Sequence, residues 1–192
     1  YIFFITRRSS DLHFVWLSRV AGKSVDHIQG ADIILRLCRL CAEINVSIAL
    51  VGSSQAALID AITAINSEIP DLRVSYAHAP DFAFDPEGDY ADGIFKELKT
   101  SGAGLCLLAL GAPKQEKFAA RGRRLAPDIG FVSVGAGLDF LAGHQVRAPK
   151  IMQRMAMEWL WRATLDPGRM VPRYLKCFAI LPGLIRQAVR QR

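Results

Sequence analysis

Apolar runs of four to six residues alternate along this chain with longer segments of helical period, and that alternation predicts its elements. Phe14–Leu17 is a short apolar piece followed by a polar loop through Gln29. Gly30-Ala31-Asp32 opens a helix running to about Glu43, with Asp32 at the N-cap position. Val46–Val51 reads as a strand closed by Gly52-Ser53-Ser54, and a helix with Leu58, Ala61, Ile62 and Ile65 on one face follows. A strand at Leu72–Ala77 leads into the loop His78–Asp89, rich in Pro and Asp, whose two Phe residues either stack on a flat ring or cap the core. A helix from about Tyr90 to Lys99 precedes the apolar run Leu105–Leu110. Lys117–Arg124 continues the helix that starts at Lys114, and Ile129–Val134 is a further buried strand. Helical period returns from Lys150 to Ala163, where Met152, Met155, Ala156, Trp159 and Ala163 form the apolar face. The rhythm is βαβ, which predicts an α/β fold: a Rossmann-like parallel sheet with right-handed crossovers, flanked by helices.

Candidate chemistry gathers where two of these strands end. Leu105–Glu116, LCLLALGAPKQE, joins a buried strand to a helix start through Gly111 and Pro113. Such a turn brings backbone N–H groups and the positive end of a helix dipole to the carboxyl edge of the sheet, where anions such as a nucleotide diphosphate bind. An ordinary βα loop is the competing reading. The second strand end is Val134–Gly143, VGAGLDFLAG, in which Gly135, Gly137 and Gly143 permit close backbone approach and Asp139 supplies an acid. Its spacing differs from GxGxxG, so it is no dinucleotide fingerprint by itself.

Charge changes the picture at the carboxyl end. The 192 residues carry a net charge of +6, are 51% hydrophobic and 22% charged, which suits one sizeable core and excludes a disordered chain. From Arg147 to Arg192, ten Lys and Arg face Glu158 and Asp166, a net of +8, while the remainder holds 14 basic and 16 acidic residues, a net of −2. Arg154, Glu158 and Arg162, at i, i+4 and i+8, are either an ion-pair ladder or functional. Asp166-Pro167-Gly168 breaks that helix, and residues 166–192 form a basic helical appendage. Its amphipathic end, after Pro182, either lies on an anionic membrane surface or docks on the core. No run reaches the roughly 20 apolar residues of a membrane span. Cys38 and Cys41 form a CxxC within a helical stripe shared with Ile34 and Leu37, which makes them core thiols rather than metal ligands and fits a reducing cytoplasm. The opening YIFFITRRSSDL has no helical or strand period that continues past His13. Residues 1–12 read as a non-native tail, with a signal peptide as the alternative, and residues 13–165 as the α/β core.

Taken in order, Gly111-Ala112-Pro113-Lys114-Gln115-Glu116, Val134–Gly143, Arg147-Ala148-Pro149, Glu158-Trp159-Leu160-Trp161-Arg162, and Asp166-Pro167 with Arg169 and Arg173-Tyr174 resemble the WecG/TagA/CpsF family of bacterial glycosyltransferases. The resemblance runs from about Val15 to Tyr174. It implies an inverting transferase that moves a sugar of the N-acetylmannosamine or uronic acid type from UDP to an undecaprenyl-diphosphate-linked acceptor, at the inner face of the membrane, in cell-surface polysaccharide synthesis. It also implies a cleft that the subunits of a homo-oligomer can share. On this resemblance Gln115 hydrogen-bonds the sugar or diphosphate at the catalytic centre, with Lys114 and Glu116 in support, and Asp139 accepts from a uracil N–H. Gly52, Gly111, Pro113 and Gly135 shape the donor site. Arg169 and Arg173 neutralise the leaving diphosphate in place of a metal, and Arg147 and Arg162, with Glu158, serve as structural ties or phosphate contacts. No DxD stands at a strand end, and neither metal nor cofactor is expected.

Three positions depart from the family pattern. The register of its general-base Asp, about six residues before Trp16, falls on Ser10, with Asp11 one position off in a foreign context. By the resemblance, the general base is expected to be absent from this chain and an N-terminal part of the family pattern to be missing. His27 stands where Arg is usual, and a neutral imidazole makes no bidentate contact. Leu138 replaces a usual Phe, a mild packing change. A catalytically inert UDP-sugar-binding, membrane-associated module is therefore the alternative. Nucleic-acid binding is disfavoured, because the basic tail holds no reading motif and the remainder offers no basic face.

Overall fold

The structure, a computed structural model, describes residues 30–144 and 158–165, with further positions at 167, 168, 183 and 186. They fall into two compact units, 30–144 in one and those from 158 onward in the other. In the first, the order is α1 (Gly30–Glu43), β1 (Ile48–Gly52), α2 (Gln55–Glu68), β2 (Val74–His78), α3 (Asp89–Ser101), β3 (Leu105–Ala109), α4 (Lys114–Leu125), β4 (Gly130–Ser133) and α5 (Gly137–Leu141). In the second, α6 spans Glu158–Leu165.

The four strands form one all-parallel sheet in the order β2-β1-β3-β4. Ile48 pairs with Leu105 and Leu105 with Gly130, so β1, β3 and β4 start level. Strands covered on both faces need apolar side chains in both directions, and β1 is buried at every position. One face carries Ala49, Val51, Cys106, Leu108 and Phe131 against α3 and α4. The other carries Ile48, Leu50, Leu107 and Val132 against α1, α2 and α5. On the first face Phe95 and Phe118 stack at 4.2 Å between ring centroids, and Phe131 meets both edge-on. Gly122 makes room for that ring, since a Cβ there would lie 2.5 Å from Phe131 Cζ.

The α/β reading and the parallel sheet stand, and the differences are local. Asp32 lies inside α1 rather than capping it, because the helix already begins at Gly30. The cap that forms is at α2, where Ser54 Oγ accepts from Ala57 N at 3.2 Å. Residues 137–141, within the Gly-rich strand end, make the short helix α5, closed by Gly143 at φ +73°. Pro167 and Gly168 have helical backbone despite the expected break at Asp166, itself outside the described residues; a fixed proline φ is compatible with a helix. Cys38, Cys41 and Cys106 are buried free thiols, as a core stripe requires. Among the described residues no helix is long and apolar enough to cross a membrane.

Candidate active site

The helix after β1 packs on one face of the sheet and the helix after β3 on the other. Because these strands are neighbours, a crevice opens between their carboxyl ends, the place where open parallel sheets bind ligands. The walls follow from the backbone. Gly52 ends β1 at φ +115°, and a Cβ there would stand 2.4 Å from the carbonyl carbon of Ala109, so only glycine lets the two strand ends close up. Ser53 N then donates to Ala109 O at 2.9 Å. Gly111 turns the chain after β3 at φ +75°, in open space, so its glycine answers to the backbone angle alone. The following Ala112–Pro113 bond is cis, and α4 begins at Lys114.

Asp139 comes to this edge from α5. Its Oδ1 accepts a hydrogen bond from Ser53 Oγ, which ties the acid to the end of β1. Ser53 holds φ +60°, a region uncommon for a non-glycine residue. Gly135, at φ +54°, donates from N to Leu108 O at 3.1 Å, which brings the turn before α5 against β3. Ser53 was not among the residues picked from sequence, although the Gly-Ser-Ser run after a strand was visible. One serine of the pair caps α2 and the other holds Asp139.

Gln115 is buried in the first turn of α4, and its Nε2 donates to Glu116 Oε1 at 3.3 Å. Gln115 Oε1, Glu116 Oε2 and Ser133 Oγ are buried with no protein partner. Buried polar atoms are nearly always satisfied, so these three call for a donor or acceptor from outside the protein's described side chains, a ligand or an ordered water. Lys114 is differently engaged: its ammonium donates to the Phe82 carbonyl and lies 5.3 Å from the Phe82 ring and 5.7 Å from the Phe84 ring. Lys117 pairs with Glu87 at 2.6 Å, and Arg121 donates to Gly88 O at 2.9 Å and to Asp92 at 2.7 Å. Three cations on one side of α4, at i, i+3 and i+7, thus fasten the 79–88 loop. The two Phe residues of that loop separate, Phe84 into the core and Phe82 into solvent at 95% exposure.

Of the residues picked from sequence, Gly52, Gly111, Pro113, Lys114, Gln115, Glu116, Gly135 and Asp139 all lie at the carboxyl ends of β1, β3 and β4. Glu158 and Arg162 belong to α6, with side chains outside the described residues, and Arg147, Arg169 and Arg173 also lie outside them. So do Ser10, Trp16 and His27. A cavity of about 430 Å³ sits at the opposite, amino edge, lined by Asn45, Ser47, Arg73 and Gly104 among others, and holds none of the residues picked from sequence. Among the described residues no group of three or more His, Cys, Asp or Glu is placed to hold a metal ion. Residues 12–192 match a family model described as the glycosyl transferase WecG/TagA/CpsF family, a span that includes the basic carboxyl end beyond Tyr174.

Proposed function

Since the chain belongs to the WecG/TagA/CpsF family of glycosyltransferases, we propose that it takes its sugar from a UDP donor and passes it, with inversion, to an acceptor sugar on a polyprenyl diphosphate. The observation that carries this reading is Asp139, held by Ser53 at the mouth of the crevice between β1 and β3. A carboxylate there accepts from the N3–H of uracil, which a purine such as adenine does not offer in the same place. In transfer, the acceptor hydroxyl oxygen bonds to the anomeric carbon as the bond from that carbon to the UDP oxygen breaks. The hydroxyl proton passes to a base, and the charge left on UDP requires cations. Arg169 and Arg173 are assigned that charge, with Arg147 and Arg162 as phosphate contacts or structural ties. The donor sugar is of the N-acetylmannosamine or uronic acid type and the acceptor an undecaprenyl-diphosphate-linked sugar. The site of action is the inner face of the cell membrane, reached through the basic appendage, in synthesis of a surface polymer.

Calorimetric titration with UDP, and with ADP as control, tests the donor site. The unaltered chain should prefer UDP. Asp139→Ala should weaken UDP binding by about 1.5–3 kcal/mol, the range for a hydrogen bond to a charged group, and replacing Arg169 and Arg173 with Ala should weaken it further. Equal affinity for the two nucleotides, or an Asp139→Ala variant that binds UDP unchanged, would sink the uracil assignment. A second reading, a donor-binding module without transfer, is favoured by the register that puts Ser10 where the family has its general base. UDP-selective binding with no sugar transferred to a polyprenyl acceptor would support that reading over the first.

A further inference from the structure

The side-chain amide of Gln115 has a fixed sense. An amide nitrogen only donates and a carboxylate only accepts, so the 3.3 Å contact from Gln115 Nε2 to Glu116 Oε1 decides which end of the amide is left over. The end left over is the carbonyl oxygen, buried without a protein donor, in a side chain only 3% exposed. Glu116 Oε2, one residue on, is a second buried acceptor in the same condition. Phosphate oxygens are acceptors too and cannot satisfy either atom. Hydroxyl and amide N–H groups can. The positive end of the α4 dipole, which would otherwise attract a diphosphate, already has the Glu116 carboxylate in its first turn.

We propose that Glu116 is a positioning residue that locks the Gln115 amide with its carbonyl facing the ligand, so that the start of α4 reads a donor group on the transferred sugar, an acetamido N–H or a ring hydroxyl, and not the diphosphate. This rests on the reading of the crevice as a UDP-sugar site. Glu116→Gln removes the obligate acceptor and frees the amide to turn either way. Glu116→Asp keeps the charge but shortens the reach.

The full chain is titrated with UDP-N-acetylmannosamine and with UDP alone. Glu116→Gln should weaken binding of the nucleotide sugar about tenfold, the effect of one buried hydrogen bond, while UDP affinity stays within about twofold. Glu116→Asp should fall between the two, and retained UDP binding shows that each variant is folded. In the unaltered chain the Gln115 side-chain amide protons, followed by NMR on glutamine-labelled protein, should resist exchange with solvent and lose that protection in Glu116→Gln. Equal losses for the two ligands, no loss for either, or rapidly exchanging Gln115 amide protons in the unaltered chain would overturn the positioning role and leave the donor site standing. If the unaltered chain binds neither ligand, the donor reading itself fails and takes this inference with it.

Discussion

At Gly52 the choice of residue is settled by distances. An added Cβ would meet Ala109 C at 2.4 Å, Ala109 O at 2.6 Å and Leu110 N at 2.8 Å, all backbone atoms in or just after the neighbouring strand that cannot swing aside. The φ of +115° adds strain to any side chain. Gly52→Ala should therefore destabilise the chain by roughly 3 kcal/mol, measured as a shift in urea midpoint at unchanged slope. A midpoint within error of the unaltered chain would mean that β1 and β3 end farther apart than these distances require. At this scale the sequence was partly legible. Gly52, Gly111 and Asp139 follow from strand-end position. The Ser53 contact to Asp139 spans 86 positions along the chain, and the sense of the Gln115 amide depends on a neighbour's carboxylate, so neither leaves a periodic trace.

Among the elements, α3 and α4 each carry a glycine, with opposite consequences. Gly93 in α3 has open space around its missing Cβ, so Gly93→Ala should stabilise by about 0.5–1 kcal/mol through the unfolded chain. Gly122 in α4 faces the Phe131 ring, with three ring carbons within 3.0 Å of an added Cβ. Gly122→Ala should cost about 1–3 kcal/mol by overpacking the aromatic layer. Opposite signs in paired thermal melts check both; two stabilising substitutions would contradict the close packing of α4 on Phe131, and two destabilising ones the open space at Gly93. The long elements were readable because apolar residues recur at helical period along α2, α3 and α4. The five residues of α5 are too few to show a period, so the Gly-rich strand end carried no helical signal. The fastening of the 79–88 loop by Lys114, Lys117 and Arg121 was hidden for another reason: an i, i+3, i+7 set of cations looks the same whether it faces solvent or a neighbouring carbonyl.

Across the whole molecule, the core and the charge distribution make separate predictions. The βαβ rhythm foretold a parallel sheet, but the order β2-β1-β3-β4, and so the position of the crevice, depends on which way each crossover turns. The buried thiols bear on stability. Burial pushes Cys38 from its ordinary 9.0 up to about 12, and raises Cys41 and Cys106 as well. A thiol whose folded value is raised contributes fully below its unfolded value. The unfolded chain loses its proton first, so stability declines as pH climbs from 9.0 towards 12. The urea midpoint should fall over that window, and iodoacetamide at pH 8 should leave these three cysteines unmodified in the folded chain, as peptide mapping would reveal. Ready alkylation would place them outside a packed core.

The last quarter of the chain concentrates the positive charge, ten basic residues against two acidic ones, while the remainder is slightly acidic. An acidic body with a basic end is attracted to an anionic bilayer through that end alone, and each Lys or Arg near such a surface contributes about 1 kcal/mol. Gly183–Arg192 holds three arginines, Arg186, Arg190 and Arg192, beside Leu184, Ile185, Ala188 and Val189. Deleting this segment should weaken binding to vesicles containing phosphatidylglycerol by about a hundredfold at low salt, with no change on neutral vesicles and none in UDP affinity. Raising the salt should erase most of the difference, because exposed charges are screened beyond about 10 Å at 0.1 M. Vesicle binding that survives the deletion would overturn the assignment of membrane binding to this segment. Loss of UDP binding together with vesicle binding would instead make these residues part of the donor site.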